Sequence, residues 1–236
     1  MERLRENGLK IVSPKEQKFL LSGWDLLSGI IGFSVKPKVI LGLGNIPSEP
    51  HLVVANHRGI AEPAALWCTW DRWIYFMAKH ETFEIPVLGK LCEKAGMFPV
   101  RRGEVDRTAI RTAVNYLKEG QVVGIMPEGT RGRDDLTQLN QFKEGAALVA
   151  IMAGSIPIVP VAITGPENIL ALIDQQSIQK TWEEMVQIRT GKNKPELKLS
   201  IGEPIVNYPR DRETVTEMIF RSISNQIAIL DKIMVQ

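Results

Sequence analysis

The sequence predicts an α/β domain: a mostly parallel central sheet flanked by helices, preceded by an N-terminal amphipathic helical segment. Three observations carry this expectation. Short apolar runs alternate with amphipathic stretches from about residue 38 to residue 165. The runs HLVVAN, VVGIM and IPIVPVAIT are apolar almost throughout, as strands covered on both faces are. The length of 236 residues suits one such domain with a small appendage. The organisation expected is a segment over 1–36 and a single domain over 37–236.

Residues 15–35 open the pattern. Phe19, Leu20, Leu21, Trp24, Leu26, Leu27, Ile30, Ile31 and Phe33 cover a wide arc of a helical wheel, and Ser22, Asp25, Gly29 and Gly32 share a narrow polar strip. Two readings stand side by side: packing on the protein's own core, or a helix lying in a lipid interface with Lys15 and Lys18 toward anionic headgroups. KVILGL then reads as a strand, 45–50 as a turn and HLVVAN as a second strand. A helix over 64–72 follows Pro63, a residue suited to a first helical position. IYFMAK is a strand, 86–95 a helix and MFPV a short strand.

Asp106 is placed to cap a helix running to about Lys118, with Ile110, Val114 and Leu117 on one face and Gly120 at its end. VVGIM is a buried strand, and 143–153 an alanine-rich helix stopped by Gly154. The prolines of IPIVPVAIT suggest a broken strand at a sheet edge or bulge. Residues 166–195 are polar and weakly patterned. LKLSIGEPI adds a late strand, and 212–234 an amphipathic helix with Val215, Ile219, Ile223, Ile227, Leu230 and Met234 on one side.

Composition narrows the function. Lysine and arginine number 29 and aspartate and glutamate 27, a formal charge of +2, so coating nucleic acid is excluded and any basic site is local. Cys68 and Cys92 have neither disulfide-framework nor metal-site spacing. No apolar run reaches ~18 residues, and the charged N-terminus lacks a small-residue cleavage site. A cytoplasmic protein, soluble or peripheral on a membrane, is expected. GLGNIP has Pro47 where a dinucleotide fingerprint needs its third glycine, and neither a Walker loop nor a G-x-S-x-G elbow occurs. The three histidines lack metal-ligand spacing, so no metal and no cofactor is expected.

Three blocks hold the chemistry-bearing residues. In ANHRGIAEP, His57 and Glu62 are five apart, an offset of about 140° on a regular helix, so they meet only if the segment turns. Gly59 permits the turn and Pro63 biases Glu62 away from helical angles. A hydrogen bond from one imidazole nitrogen to the carboxylate would leave the other as a base near neutral pH. Taken alone, the pair is better read as a structural histidine. GMFPVRRG brings Arg101 and Arg102 to a strand end, suited to phosphate although also common on surfaces. MPEGTRGR places Glu128, Gly129, Thr130 and Arg131 directly after a strand, where α/β folds hold ligands.

The order NHRGIAEP, MAKHETFEIPVLGKL, GMFPVRRG, PEGTRGR and FKEGAALVAIMAGSIPIVPVAITG resembles the glycerolipid acyltransferases of the 1-acyl-glycerol-3-phosphate acyltransferase type, from about Val39 to Gly165. The resemblance implies transfer of an acyl group from a thioester, acyl-CoA or acyl-carrier protein as co-substrate, to a lysophospholipid hydroxyl at a membrane surface. It implies that His57 is the base, with Glu62 where the family has aspartate, and that Arg102 holds the acceptor's phosphate. Glu128, Gly129, Thr130 and Arg131 fall in the family's acceptor-binding block. Lys79 matches a lysine associated with phosphate or the oxyanion, and Lys143 is a further candidate. Arg101 stands where an acidic residue is frequent, making the pocket more positive. The exchange at 62 leaves two alternatives: another lysophospholipid as acceptor, or a lysolipid-binding relative without turnover.

Overall fold

In a computed structural model of the chain, residues 9–31, 36–58, 62–101, 103, 105–129, 139–165 and 196–233 are described. The elements in chain order begin with α1 (Pro14–Ile31), β1 (Val39–Leu41), a 3-10 turn (Leu43–Asn45) and β2 (Leu52–Ala55). They continue with α2 (Glu62–Thr69), β3 (Ile74–Lys79), α3 (His80–Glu84), α4 (Pro86–Lys94), β4 (Phe98–Val100) and α5 (Arg107–Lys118). The second half holds β5 (Val122–Ile125), α6 (Gly145–Met152), β6 (Ile158–Thr164), β7 (Lys198–Ile201) and the last described helix, α7 (Arg212–Ile233).

The strands form one sheet in the order β1-β7-β6-β2-β5-β3-β4. Every pairing is parallel except β6 with β7, as expected from the alternation of strands and helices. Strands β2 to β6 therefore all end on one edge. Their side chains alternate across the sheet. Phe76 meets Trp67 of α2 edge-on at 5.5 Å, while its neighbour Tyr75 stacks on Tyr116 of α5 at 4.3 Å. Burying α2 and α5 against opposite faces is how a right-handed parallel sheet covers itself. The sheet core is dense: Gly124 of β5 has no room for a Cβ, because the Phe76 ring occupies that space.

Local chemistry explains the element ends. The Asp106 carboxylate accepts the Thr108 and Ala109 N–H groups, each at 3.0 Å, and so caps α5. Gly120 and Gly154 end their helices at φ 78 and 106, angles that favour glycine. Helix α7 buries Val215, Ile219, Ile223, Ile227 and Leu230, the apolar stripe read from spacing; Met234 lies outside the described residues.

Several expectations are corrected. β6 is neither broken nor at an edge: it is continuous, wholly buried and central between β7 and β2. Its register with the returning chain slips by one residue between Val161↔Ile201 and Ile158↔Ile205. That bulge leaves Pro160 with its carbonyl accepting from Gly202 N–H at 2.9 Å, at a point where no strand needs the missing donor. Helix α2 starts at Glu62 rather than after it; first-turn positions need no N–H partner, so Pro63 fits second. Helix α3 was not expected from the pattern.

Three of the five tryptophans are core residues. Trp67, Trp70 and Trp73 donate to Ile74 O, His51 Nε2 and Ala95 O, and Trp67 stacks on Trp73 at 4.6 Å. None is available to a membrane. In α1, Leu20 is buried while Phe19 and Leu26 are exposed; the side chains of Trp24 and of residues 27–31, and all of Phe33, lie outside the description. Among the described residues no helix is long and apolar enough to cross a membrane.

Candidate active site

The carboxyl ends of β2 and β5 build the site. Asn56, directly after β2, is fully buried, and its amide donates to Ile163 O at 2.8 Å and accepts from Ile163 N–H at 2.7 Å. It extends the β2–β6 pairing by one side-chain rung and brings His57 to the sheet edge. The next N–H, that of His57, donates to Oε1 of Glu128 at 2.6 Å. Oε2 of Glu128 accepts from the backbone and the side-chain amides of Asn140, at 3.1 and 2.8 Å. The chain entering His57 is thus tied to β6 through Asn56 and to Glu128 through its own N–H.

His57 and Glu62 do converge. Nδ1 of His57 lies 3.8 Å from Oε1 of Glu62, and the Glu62 side chain is completely buried. The expected hydrogen bond between them is not formed: 3.8 Å is an electrostatic contact. Oε1 instead accepts the Arg58 N–H at 2.7 Å. Burial pushes the Glu62 carboxyl up; the imidazole and the N–H groups of Glu62 and Arg58 more than offset this and hold it below the ordinary carboxylate range. With Nδ1 facing an anion, Nε2 is the ring nitrogen left for chemistry.

His57 lines a cleft of about 600 Å³ that runs over the ends of β3, β4 and β5 to the starts of α5 and α6. Met77, Ile125 and Phe142 give it apolar walls, and Arg101, Lys143 and Arg212 bring cations. Arg212 is paired with Glu144 at 3.4 Å. Asp106 is occupied by N–H groups, that of Arg101 among them at 2.9 Å. Gly129 has φ 66, and a Cβ there would crowd the Lys143 side chain, so the two pack directly. Among the described residues no side chain caps the start of α6, whose first amides border the cleft beside Lys143.

The other expected residues divide clearly. Arg101 and Gly129 border the cleft with His57. Glu128 is buried and bonded to the His57 N–H and to Asn140 rather than open to a ligand. Lys79 sits at the end of β3, outside the cleft lining, 3.3 Å from Glu81. Arg102, Thr130 and Arg131 lie outside the described residues. Sequence reasoning missed Asn56, Asn140 and Arg212; the asparagine preceding His57 was the one available signal, since a polar residue ending a buried strand needs a partner.

An α/β fold with a histidine–carboxylate pair beside a half-apolar, half-cationic cleft defines an enzyme-like site. Residues 39–164 match the Acyltransferase family profile, and the chain belongs to that family. A 1-acyl-sn-glycerol-3-phosphate acyltransferase of Bacillus subtilis (strain 168) is 32% identical over 163 residues, 68% of this chain and 70% of that one. Its counterpart from Streptococcus pneumoniae is 32% identical over 142 residues, 59% of this chain and 51% of that one. The crystal structure of the 1-acyl-sn-glycerophosphate acyltransferase PlsC from Thermotoga maritima superposes with a TM-score of 0.65 at 22% identity, covering 92% of this chain and 82% of that chain, and so shares the fold.

Proposed function

We propose that this acyltransferase moves a fatty acyl group from a thioester to the free hydroxyl of 1-acyl-glycerol-3-phosphate, giving phosphatidic acid. The observation that carries the reading is the His57–Glu62 pair, 3.8 Å apart, opening on a cleft that offers apolar wall and cations together. An acceptor with a phosphate at one end and a chain at the other needs both. The names of the relatives point to the same acceptor.

In the reaction, Nε2 of His57 takes the proton of the acceptor hydroxyl as the oxygen attacks the thioester carbonyl. The tetrahedral intermediate collapses, the C–S bond breaks, and the imidazolium returns the proton to the departing thiolate. Glu62 favours the imidazolium formed between these steps through its charge near Nδ1. A positioned base contributes roughly 10²–10⁴-fold. The thioester is already activated, so no acyl-enzyme is required. Arg101, Lys143 and the first amides of α6 form an anion cradle for the phosphate, with Arg102 and Arg131 assigned to it by resemblance. The acceptor is amphiphilic, so the enzyme works peripherally at a cytoplasmic membrane face.

Purified protein is to be incubated with 1-acyl-glycerol-3-phosphate and either acyl-CoA or acyl-carrier protein. Phosphatidic acid is expected with at least one donor; its absence with both removes the reading. The gap between Nδ1 and Glu62 favours, as second reading, a protein that holds lysolipid without turnover, for which binding with no product is the signature.

A further inference from the structure

Helix α4 is built to face outward. Gly89 and Cys92 are its only buried residues, and a Cβ at Gly89 would strike the Phe83 carbonyl of α3. The two helices are therefore locked together in close contact. At about 100° per residue, the direction opposite Gly89 and Cys92 is occupied by Val87, Lys90, Leu91 and Lys94. Val87 is 82% exposed and Leu91 40%, and no acidic residue shares that face. The ridge continues onto α1: Nζ of Lys94 lies 5.9 Å from the ring centre of Phe19, itself 65% exposed, and the next turn back carries exposed Lys15 and Lys18.

Val87 and Leu91 project from a rigid helix between Lys90 and Lys94, with Glu16 of α1 the acidic group near Lys94, and this pattern matches a surface with an apolar interior and anionic headgroups. We propose that the α4 face, with Phe19 of α1, docks the protein on an anionic phospholipid bilayer, Val87, Leu91 and Phe19 entering the interface and Lys90 and Lys94 meeting headgroups. Helix α4 begins just past the carboxyl end of β3, so docking through it brings the sheet edge carrying the cleft toward the lipid that holds the acceptor. The proposal rests on the acceptor being a membrane lipid and names the element that reaches it.

The test is sedimentation of the full chain with vesicles of phosphatidylcholine alone or in an equimolar mixture with phosphatidylglycerol. Wild type is expected on the anionic vesicles, released by high salt. The V87D/L91D variant is expected to bind at least about tenfold more weakly, and K90Q/K94Q to lose the preference for anionic vesicles. Both variants should keep wild-type rates on a short-chain monomeric acceptor and lose rate only on vesicle-embedded acceptor. Undiminished vesicle binding by V87D/L91D overturns the proposal. So does a wild-type dimer in analytical ultracentrifugation that V87D/L91D dissolves while still binding vesicles, since the face would then belong to a second copy. If wild type binds anionic vesicles through this face but acylates no acceptor, the docking surface stands and the functional reading fails.

Discussion

The backbone N–H of His57 donates to Oε1 of Glu128 at 2.6 Å, across 71 positions of sequence. The other oxygen of that carboxylate receives two N–H groups from Asn140. Glu128 therefore acts on the proposed base through its main chain, as a clamp between the ends of β2 and β5. Glu128→Gln replaces one acceptor oxygen by an N–H₂ group facing a donor. Turnover is expected to fall on the order of 100-fold, the cost of misplacing a base by ~1 Å, while KM for the acceptor stays close to wild type. A raised KM with unchanged kcat would instead make Glu128 a ligand-binding residue.

Glu62→Gln keeps the shape and the acceptor for Arg58 N–H but removes the charge 3.8 Å from Nδ1. Steady-state kinetics should show kcat reduced by roughly 10²-fold or more. Glu62→Asp draws the carboxylate back by one methylene from the Arg58 N–H that it holds at 2.7 Å and from an Nδ1 already 3.8 Å away, so it too should be slower than wild type. A faster Asp variant would show that this backbone is built for the shorter acid.

His57→Ala should abolish phosphatidic acid formation with the melting temperature held, since the ring is a cleft-lining group and the N–H to Glu128 survives the change. Activity retained in this variant would remove His57 as the base.

Acid stability should break in two windows. His51 is buried, with Nδ1 donating to Glu49 O and Nε2 accepting from Trp70, and burial lowers its pKa below the ordinary 6.5. As pH falls the unfolded chain binds this proton more readily than the folded one, so stability is full above 6.5 and declines beneath it. Glu62, also lowered, contributes stability that is full above the ordinary 4.5 and is lost only below it. Urea midpoints measured from about pH 8 to about pH 5 should fall for wild type and stay flat for His51→Gln.

Asn56→Ala removes both bonds to Ile163 and leaves a buried donor and acceptor without partners. Denaturant unfolding should show a loss of roughly 1–3 kcal/mol, together with slower turnover, because the same rung positions His57. A stability loss without an effect on rate would separate Asn56 from the site.

What the sequence by itself determined is local. Alternating apolar runs specified the strands and, α3 apart, the helices between β1 and α7, Asp106 specified the start of α5, and the backbone preferences of Gly59 and Pro63 predicted that His57 and Glu62 would approach one another. These follow from periodicity, caps and backbone preferences that act over a few residues. What only the tertiary structure decided is who meets whom across the sheet. The Glu128 carboxylate took main-chain N–H groups rather than a ligand, three tryptophans turned inward, β6 became central because a bulge excused its proline, and α4 was left with its apolar face outward. Each depends on partners distant in sequence, and a side chain's role is set by whichever neighbour folding places within hydrogen-bonding or packing distance.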